Sequence, residues 1–399
     1  MGKKIGPWPL GMDVLSPEDS MPKDQDKNVI AARDAVNVDF DRTGSISSRP
    51  GLQLALDDQL DSLWTRRDGS ASYARHGLQL ALVTRSGDAV MVEDIAPLPS
   101  AQPLDFCELN DEVVFSSVDT IGIIGFNGVR PFSVPDASTP QVVPNPVGGL
   151  YAGRYSVAIS WLDATGAEGA LSPLATVAVP EGGGIRLTLP TPPDGVTLAR
   201  IYRTGQNGDK LYQVSDAPAA MGSFLVGTGQ RGREADTDYL RALPPGRYVR
   251  NFKGWMISVR GRVLYFSDPL RFGLYSPRHG FVAFPQVVTF LEVVEGGIFV
   301  GQRDTVLFLD GNRPGDWQVR HTGAMAPIRR TSALIPGDHF DPSLQLNPGD
   351  HAVWLAINGY VLGTPTGQVV EPQSRRIRVP FSASGRTAVF NRRLFTFTD

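Results

Sequence analysis

A short hairpin recurs along this chain, and that recurrence constrains the fold more than any other feature. In each copy a run of apolar–polar alternation leads through a tight turn into a second such run. Runs 79–83 and 89–93 flank Ser86-Gly87, and 120–124 and 129–132 flank Asn127-Gly128. Runs 255–259 and 263–266 flank Arg260-Gly261, and 351–355 and 360–362 flank Asn358-Gly359. Runs 297–300 with 305–309, and 387–390 with 394–397, repeat the design. Alternation of period two predicts half-buried strands, and Asn-Gly supplies the positive φ that two-residue hairpin turns require. Leading strands start near 79, 112, 255, 297, 351 and 387. Their spacings are roughly 33 to 54 residues, the blade length of a β-propeller, once an insertion of about 105 residues between 112 and 255 is set aside. The 43 Gly and 32 Pro, spread without a collagen-like period, suit many short strands and tight turns.

The insertion has its own pattern. In 153–161, Tyr155, Val157, Ile159 and Trp161 alternate onto one face, and runs 175–179, 185–189, 198–203, 211–214 and 223–226 follow between Pro- and Gly-rich turns. About seven short strands in about a hundred residues describe an immunoglobulin-like sandwich. The predicted class is therefore all-β: a propeller-like body, 34–138 with 246–399, carrying an inserted immunoglobulin/fibronectin-like β-sandwich at 139–245. Residues 1–33, polar and Pro-rich, read as an extended arm able to dock on a neighbour, or as a frayed terminus. A strand at 35–40, the turn 41–44 and a returning strand at 45–51 open the body.

A formal net charge of −3, with no polybasic block, does not describe a tight nucleic-acid binder, which must neutralise several phosphates. The single cysteine, Cys107, rules out an internal disulfide or a multi-Cys zinc site, and its apolar surroundings predict a buried, inert thiol. No apolar run reaches membrane-spanning length, and Pro7, Pro9 and Asp13 interrupt any signal-like core, so folding in the cytosol is expected.

Two stretches carry a family resemblance. Residues 37–51 contain Asn37, Asp39, Gly44, Arg49, Pro50 and Gly51 in an N-x-D-x-x-x-x-G-x-x-x-x-R-P-G arrangement, and 264–269 read Leu264, Tyr265, Phe266, Ser267, Asp268, Pro269, with Phe272 just after. Both resemble signature segments of short-tail nozzle or hub proteins of tailed bacteriophages. The insertion resembles a fibronectin type III module, and its ending Asp238-Tyr-Leu-Arg-Ala-Leu-Pro-Pro245 is similar to segments found in phage tail genes. The resemblance covers most of the chain in layout and about thirty residues in motif. It implies a homo-oligomeric ring, six-fold, in the virion beneath the portal and adaptor. Such a ring would be assembled in the host bacterial cytoplasm, extend the DNA exit channel and let double-stranded DNA pass transiently. It would anchor a distal needle, fibres or tailspikes. At 399 residues the chain is compact for a nozzle, which leaves a smaller hub or stopper-like role open.

Enzyme chemistry finds little footing. Asp338, His339, Asp341 and His351 are hard-ligand types, but they lack paired metal spacing and sit among Pro336, Pro342 and Pro348, so a polar loop is expected. Gly227 to Gly232 spells G-x-G-x-x-G, yet the segment after it ends at Pro244-Pro245 with no parallel strand and no suitably placed ribose acid, and a sandwich loop is expected instead. Asp268, Glu292, Glu295 and Asp310 do not form a coherent glycosidase pair. The pairs Arg329-Arg330, Arg375-Arg376 and Arg392-Arg393 read as solvated faces or subunit contacts, with Arg376 and Arg378 on one side of a strand. The sequence therefore predicts no enzyme, catalytic residue, cofactor or metal. The alternatives are a carbohydrate-binding, adhesive propeller touching a host glycan and, behind it, a propeller glycoside hydrolase.

Overall fold

The structure is a computed structural model that describes residues 8–25, 28–36, 38–40, 43–49, 51, 54–87, 89–229, 232–340, 348–390 and 393–399. Among these residues there is no α-helix, only single three-residue 3-10 turns such as Glu18–Ser20 and Ala219–Met221. The chain divides into two compact units, 59–283 and 1–58 with 284–399.

Three antiparallel four-stranded meanders lie in unit 59–283. The first is Leu60–Thr65, Ser72–His76, Gln79–Ser86 and Ala89–Pro97. The second is Asp105–Leu109, Glu112–Ser116, Ile121–Gly125 and Gly128–Pro131, and the third Arg247–Phe252, Trp255–Arg260, Val263–Phe266 and Phe281–Ala283. Several hairpins turn where a residue tolerates positive φ, as at Gly128 (φ 101°) and Gly261 (φ 62°). Consecutive sheets share cores. Leu80, Phe106, Val113 and Phe115 join the first to the second. Val114, Ile123, Val249 and Met256 join the second to the third, although some 115 residues of chain separate those sheets. The Ser116 hydroxyl seals that seam by donating to the Gly246 carbonyl at 2.6 Å, and Arg250 meets Asp105 at 2.8 Å.

The excursion between the second and third sheets is a seven-stranded sandwich. One sheet holds Gln141–Leu150, Gly183–Thr188 and Ser223–Val226. The other, in spatial order, is Ala175–Val179, Gly153–Asp163, Val196–Thr204 and Leu211–Pro218. Tyr155, Val157, Ile159 and Trp161, the predicted inward face, are all buried in one core with Ile185, Leu187 and Ile201.

The other unit holds two more meanders. The fourth sheet is Phe290–Val294, Gly297–Gly301, Val306–Asp310 and Gln318–His321; the fifth is Ala333–Pro336, Asp350–Ala356, Gly359–Gly363 and Val369–Val370. They share a core in which Trp354 meets Phe290 at 5.1 Å and Phe299 at 5.7 Å between ring centroids. Gly301 lies opposite Phe290 in the ladder, and a Cβ there would come within 2.1 Å of the ring, so only glycine lets the ring lie flat. Two two-stranded hairpins complete this unit, Val38–Phe40 with Ile46–Ser48 and Gly385–Phe390 with Arg393–Thr398.

Repeated four-stranded meanders with cores shared between successive sheets make the fold all-β and propeller-like, with a sandwich between the second and third sheets. Residues 8–25 and 28–33 do not stand free. They fold against 376 of their own unit: Val14 N–H donates to the Arg376 carbonyl at 2.9 Å, and buried Asp13 accepts from Ser16 N–H at 3.0 Å. That bond, with others from Ser16 and Leu15, holds the Asp13 carboxyl below the usual range. The expected strand bearing Arg376 and Arg378 is instead a turn over 372–376 followed by irregular chain.

Candidate functional site

The signature residues fall into two groups. Asn37, Pro50 and, from the candidate metal set, Asp341 lie outside the described residues. In the 38–48 hairpin, Asp39 accepts from Arg49 Nε at 2.7 Å, which ties the outgoing strand to the end of the returning one. Gly44 sits at φ 81° where the backbone of Trp8 and Pro9 crosses it, and Trp8 N–H donates to its carbonyl at 2.9 Å. A side chain there would meet that crossing as well as an unfavourable φ. Trp8 also packs edge-on to Phe40, with centroids 6.3 Å apart. Gly51 is exposed, with open space around it.

In the 264–269 group, Leu264 is buried in the third sheet and Tyr265 stacks edge-on with Tyr275 at 5.4 Å. Phe266 ends the strand, and its N–H donates to the Gly280 carbonyl. Buried Ser267 receives the Met256 N–H on its hydroxyl at 3.0 Å and donates its own N–H to the Met256 carbonyl at 2.8 Å. Asp268 accepts from Arg271 at 3.1 Å and closes a turn across exposed Pro269 and Leu270, the latter at φ 63°. These polar groups are spent on folding.

Asp39, Phe40 and Arg49 line a cleft of about 470 Å³ with Tyr360 and residues 394–397. The Tyr360 hydroxyl donates to Thr396 Oγ1 at 2.9 Å, and burial pushes its pKa upward. A second hollow, about 560 Å³, shares Asp39, Phe40 and Arg49 but is walled by 10–12 and 372–377. Among the described residues, no three His, Cys, Asp or Glu side chains are grouped to hold a metal ion. His351 is fully buried in the fifth sheet, with Nδ1 at 3.0 Å from the Gly349 carbonyl and its ring against Phe340.

Burial lowers the His351 pKa, so the folded protein refuses a proton that the unfolded chain accepts near pH 6.5. Its neutral form costs nothing above that value, and stability falls as pH drops below it. We therefore expect the melting temperature to fall between pH 7.5 and 5.5, and His351→Gln to flatten that slope. An unchanged slope in the variant would place the dependence elsewhere.

The other candidates are absorbed by the fold. Glu292 is buried and accepts from Ser332 at 2.8 Å, and Asp310 lies 3.6 Å from Arg320. Gly227 packs on the Gly148 backbone in a sandwich loop, with its carbonyl held by Arg203 at 2.9 Å; the motif's Gln230 and Arg231 lie outside the described residues. Cys107 is half-buried, and desolvation pushes its thiol up to about 12. Since the thiolate is the nucleophile, it should react with Ellman's reagent at least ~100-fold more slowly than an exposed cysteine until the chain is denatured. Fast reaction of the native protein would show the thiol to be solvated.

A polar cluster unread in the sequence is the most elaborate in unit 59–283. The Glu168 carboxylate accepts from Ser160 at 2.7 Å, Tyr202 at 2.5 Å, Arg200 at 2.9 Å and Arg233 at 2.6 Å. Positions 200 and 202, on the side of an alternating strand turned away from Ala199 and Ile201 of the sandwich core, were its one visible signal.

No family model and no curated protein matches the chain. Solved structures similar to it include apo AztD from Citrobacter koseri, 12% identical, covering 85% of this chain and 80% of that one with a TM-score of 0.36. Sqt1 from Saccharomyces cerevisiae is 11% identical over 84% and 77%, with a TM-score of 0.33. A putative 6-phosphogluconolactonase from Bacteroides fragilis is 11% identical over 79% and 83%, with a TM-score of 0.32. Among the described residues no helix is long and apolar enough to cross a membrane.

Proposed function

We propose that this chain is a non-enzymatic structural protein of a tailed-phage virion, of the short-tail nozzle or hub class. It assembles with copies of itself into a ring, six-fold by the family resemblance. The ring extends the DNA exit channel below portal and adaptor and carries a distal needle, fibres or tailspikes. The observation that carries the reading is the resemblance of 37–51 and 264–269 to the family's signature segments, on a propeller-like body with an inserted sandwich. Its support from the site is that those residues act as fasteners: a hairpin closed by Asp39 and Arg49, and a turn closed by Asp268 and Arg271.

A conduit must not hold DNA, because each phosphate neutralised adds salt-sensitive affinity. The net charge of −3 per chain, multiplied in a ring, repels DNA weakly and keeps it centred. Mass photometry of the purified protein should find closed rings, and filter binding only weak, salt-shallow affinity for duplex DNA. A strict monomer, or tight binding with a steep salt slope, would overturn the proposal.

We further propose that the sandwich is an independent domain. Residues 139–245 alone should express as a soluble, cooperatively melting β protein; an unfolded product while the full chain folds would reject that boundary.

The 470 Å³ cleft favours a second reading. Phe40, Tyr360, Phe395 and Phe397 line it beside the Asp39–Arg49 pair, a mixture suited to a sugar ring. Glycan-array retention abolished by Phe397→Ala would select an adhesive role, and an empty array would remove it.

A further inference from the structure

The sandwich meets the third sheet, within the same unit, through a short backbone ladder of Arg241–Ala242 with Leu274–Tyr275 and through Leu243, buried in the core of the second and third sheets. The joint's own buried apolar cluster is Ala170, Leu240 and Leu274. A cleft of about 250 Å³ is lined by residues from both sides, including Glu168 and Arg271, so close packing does not fix the angle there. Insertions joined by two chain crossings are free to hinge unless their interface is large and hydrophobic.

A run of charges is added to these contacts. Within the sandwich, Asp216 holds Arg200 through two bonds of 2.9 and 2.8 Å, Arg200 holds Glu168, and Glu168 holds Arg233. Arg233 lies 3.8 Å from Asp236 on the returning segment. The same Asp236 oxygen accepts from Arg271 of the third sheet's closing turn, and Arg271 also holds Asp268. Signs alternate without interruption from the sandwich strands to the signature turn. The link that crosses the joint, Asp236 to Arg271, is partly exposed, while the Glu168 end is shielded.

We infer that this chain of ion pairs is a clasp that sets the sandwich's orientation on the body, and that salt releases it without melting either part. The inference does not depend on the tail-protein reading. Partly exposed pairs are screened once the Debye length falls to ~3 Å in about 1 M salt, whereas the neutral bonds at the joint (Leu243 N–H to Gly273 carbonyl, 2.8 Å) are not.

The test uses the full chain with spin labels at the exposed positions Asp194→Cys in the sandwich and Arg262→Cys in the third sheet. Electron-spin distance measurements should give one narrow distribution at low salt. The distribution should widen about twofold in about 1 M sodium chloride, and equally at low salt in Asp236→Asn, which keeps shape and loses charge. The melting profile should stay unchanged in both cases. A distribution already broad in the wild type at low salt, or one that neither salt nor Asp236→Asn widens, would overturn the clasp. The salt series on the unaltered charge chain decides the matter alone if the variant fails to fold.

Discussion

Replacing Trp354 by alanine should destabilise the fourth and fifth sheets by about 4 kcal/mol, the upper range for deleting a buried aromatic. The indole is fully buried, and it fills the space between the two sheets rather than the interior of one. Its Nε1–H donates to the Met325 carbonyl at 3.3 Å, so truncation also strands an acceptor. Neighbouring Phe290 is held opposite Gly301 in the ladder and Phe299 packs on Phe308 with centroids 4.8 Å apart, which limits collapse into the void. Trp354→Phe should recover a large part of the loss. Urea unfolding followed by tryptophan-independent circular dichroism checks both variants. A loss below about 1 kcal/mol would mean that the site closes up, as well-adapting cavities do.

Glu168→Ala should be the costliest polar substitution, at about 3 kcal/mol, because it removes one partner from a shielded pair and leaves the others behind. The carboxylate is only 9% exposed and serves four donors at once. Arg200 keeps Asp216, but the buried Tyr202 hydroxyl loses its acceptor. Glu168→Gln keeps one acceptor oxygen and the volume, and should cost about half as much. Arg200 holds the Asp216 carboxyl below its ordinary value, so this end of the cluster stabilises above pH 3.8 and weakens as pH falls through the lower folded value. Thermal unfolding of the full chain at pH 7 reads the effect. Equal melting temperatures for wild type and Glu168→Ala would show the cluster to be ornamental.

Much of the fold was legible from residues alone, for a definite reason. Where a hairpin has one buried face and a glycine turn, the alternation survives: Val263–Phe266, Ala175–Val179 and Ser223–Val226 fall where their patterns end. Strands without a buried face left no such trace. Gln318–His321 is exposed throughout, and Gln141–Leu150 is an edge strand that tolerates Pro144 and Pro146 because no partner needs those N–H groups. Two opening strands hide for another cause. Leu60–Thr65 and Arg247–Phe252 each carry a register shift with a positive-φ residue, Ser62 or Tyr248, which breaks the period of two.

The candidate site was legible in the same partial way. Asp39 and Arg49 stood out as motif letters, yet nothing in their spacing announced an ion pair across a hairpin. Glu168 was invisible because its partners lie 8 to 65 residues away and on separate strands and loops. Local patterning records which face of a strand is buried; it does not record which distant charges a fold will bring together.

The ring is the central claim, and negative-stain imaging of the purified protein together with tail particles tests it most directly. Closed, single-order rings of this chain, placed between the portal–adaptor end and the distal tail parts, are the predicted result. Isolated single-copy particles that never close into rings and never join the tail would contradict it.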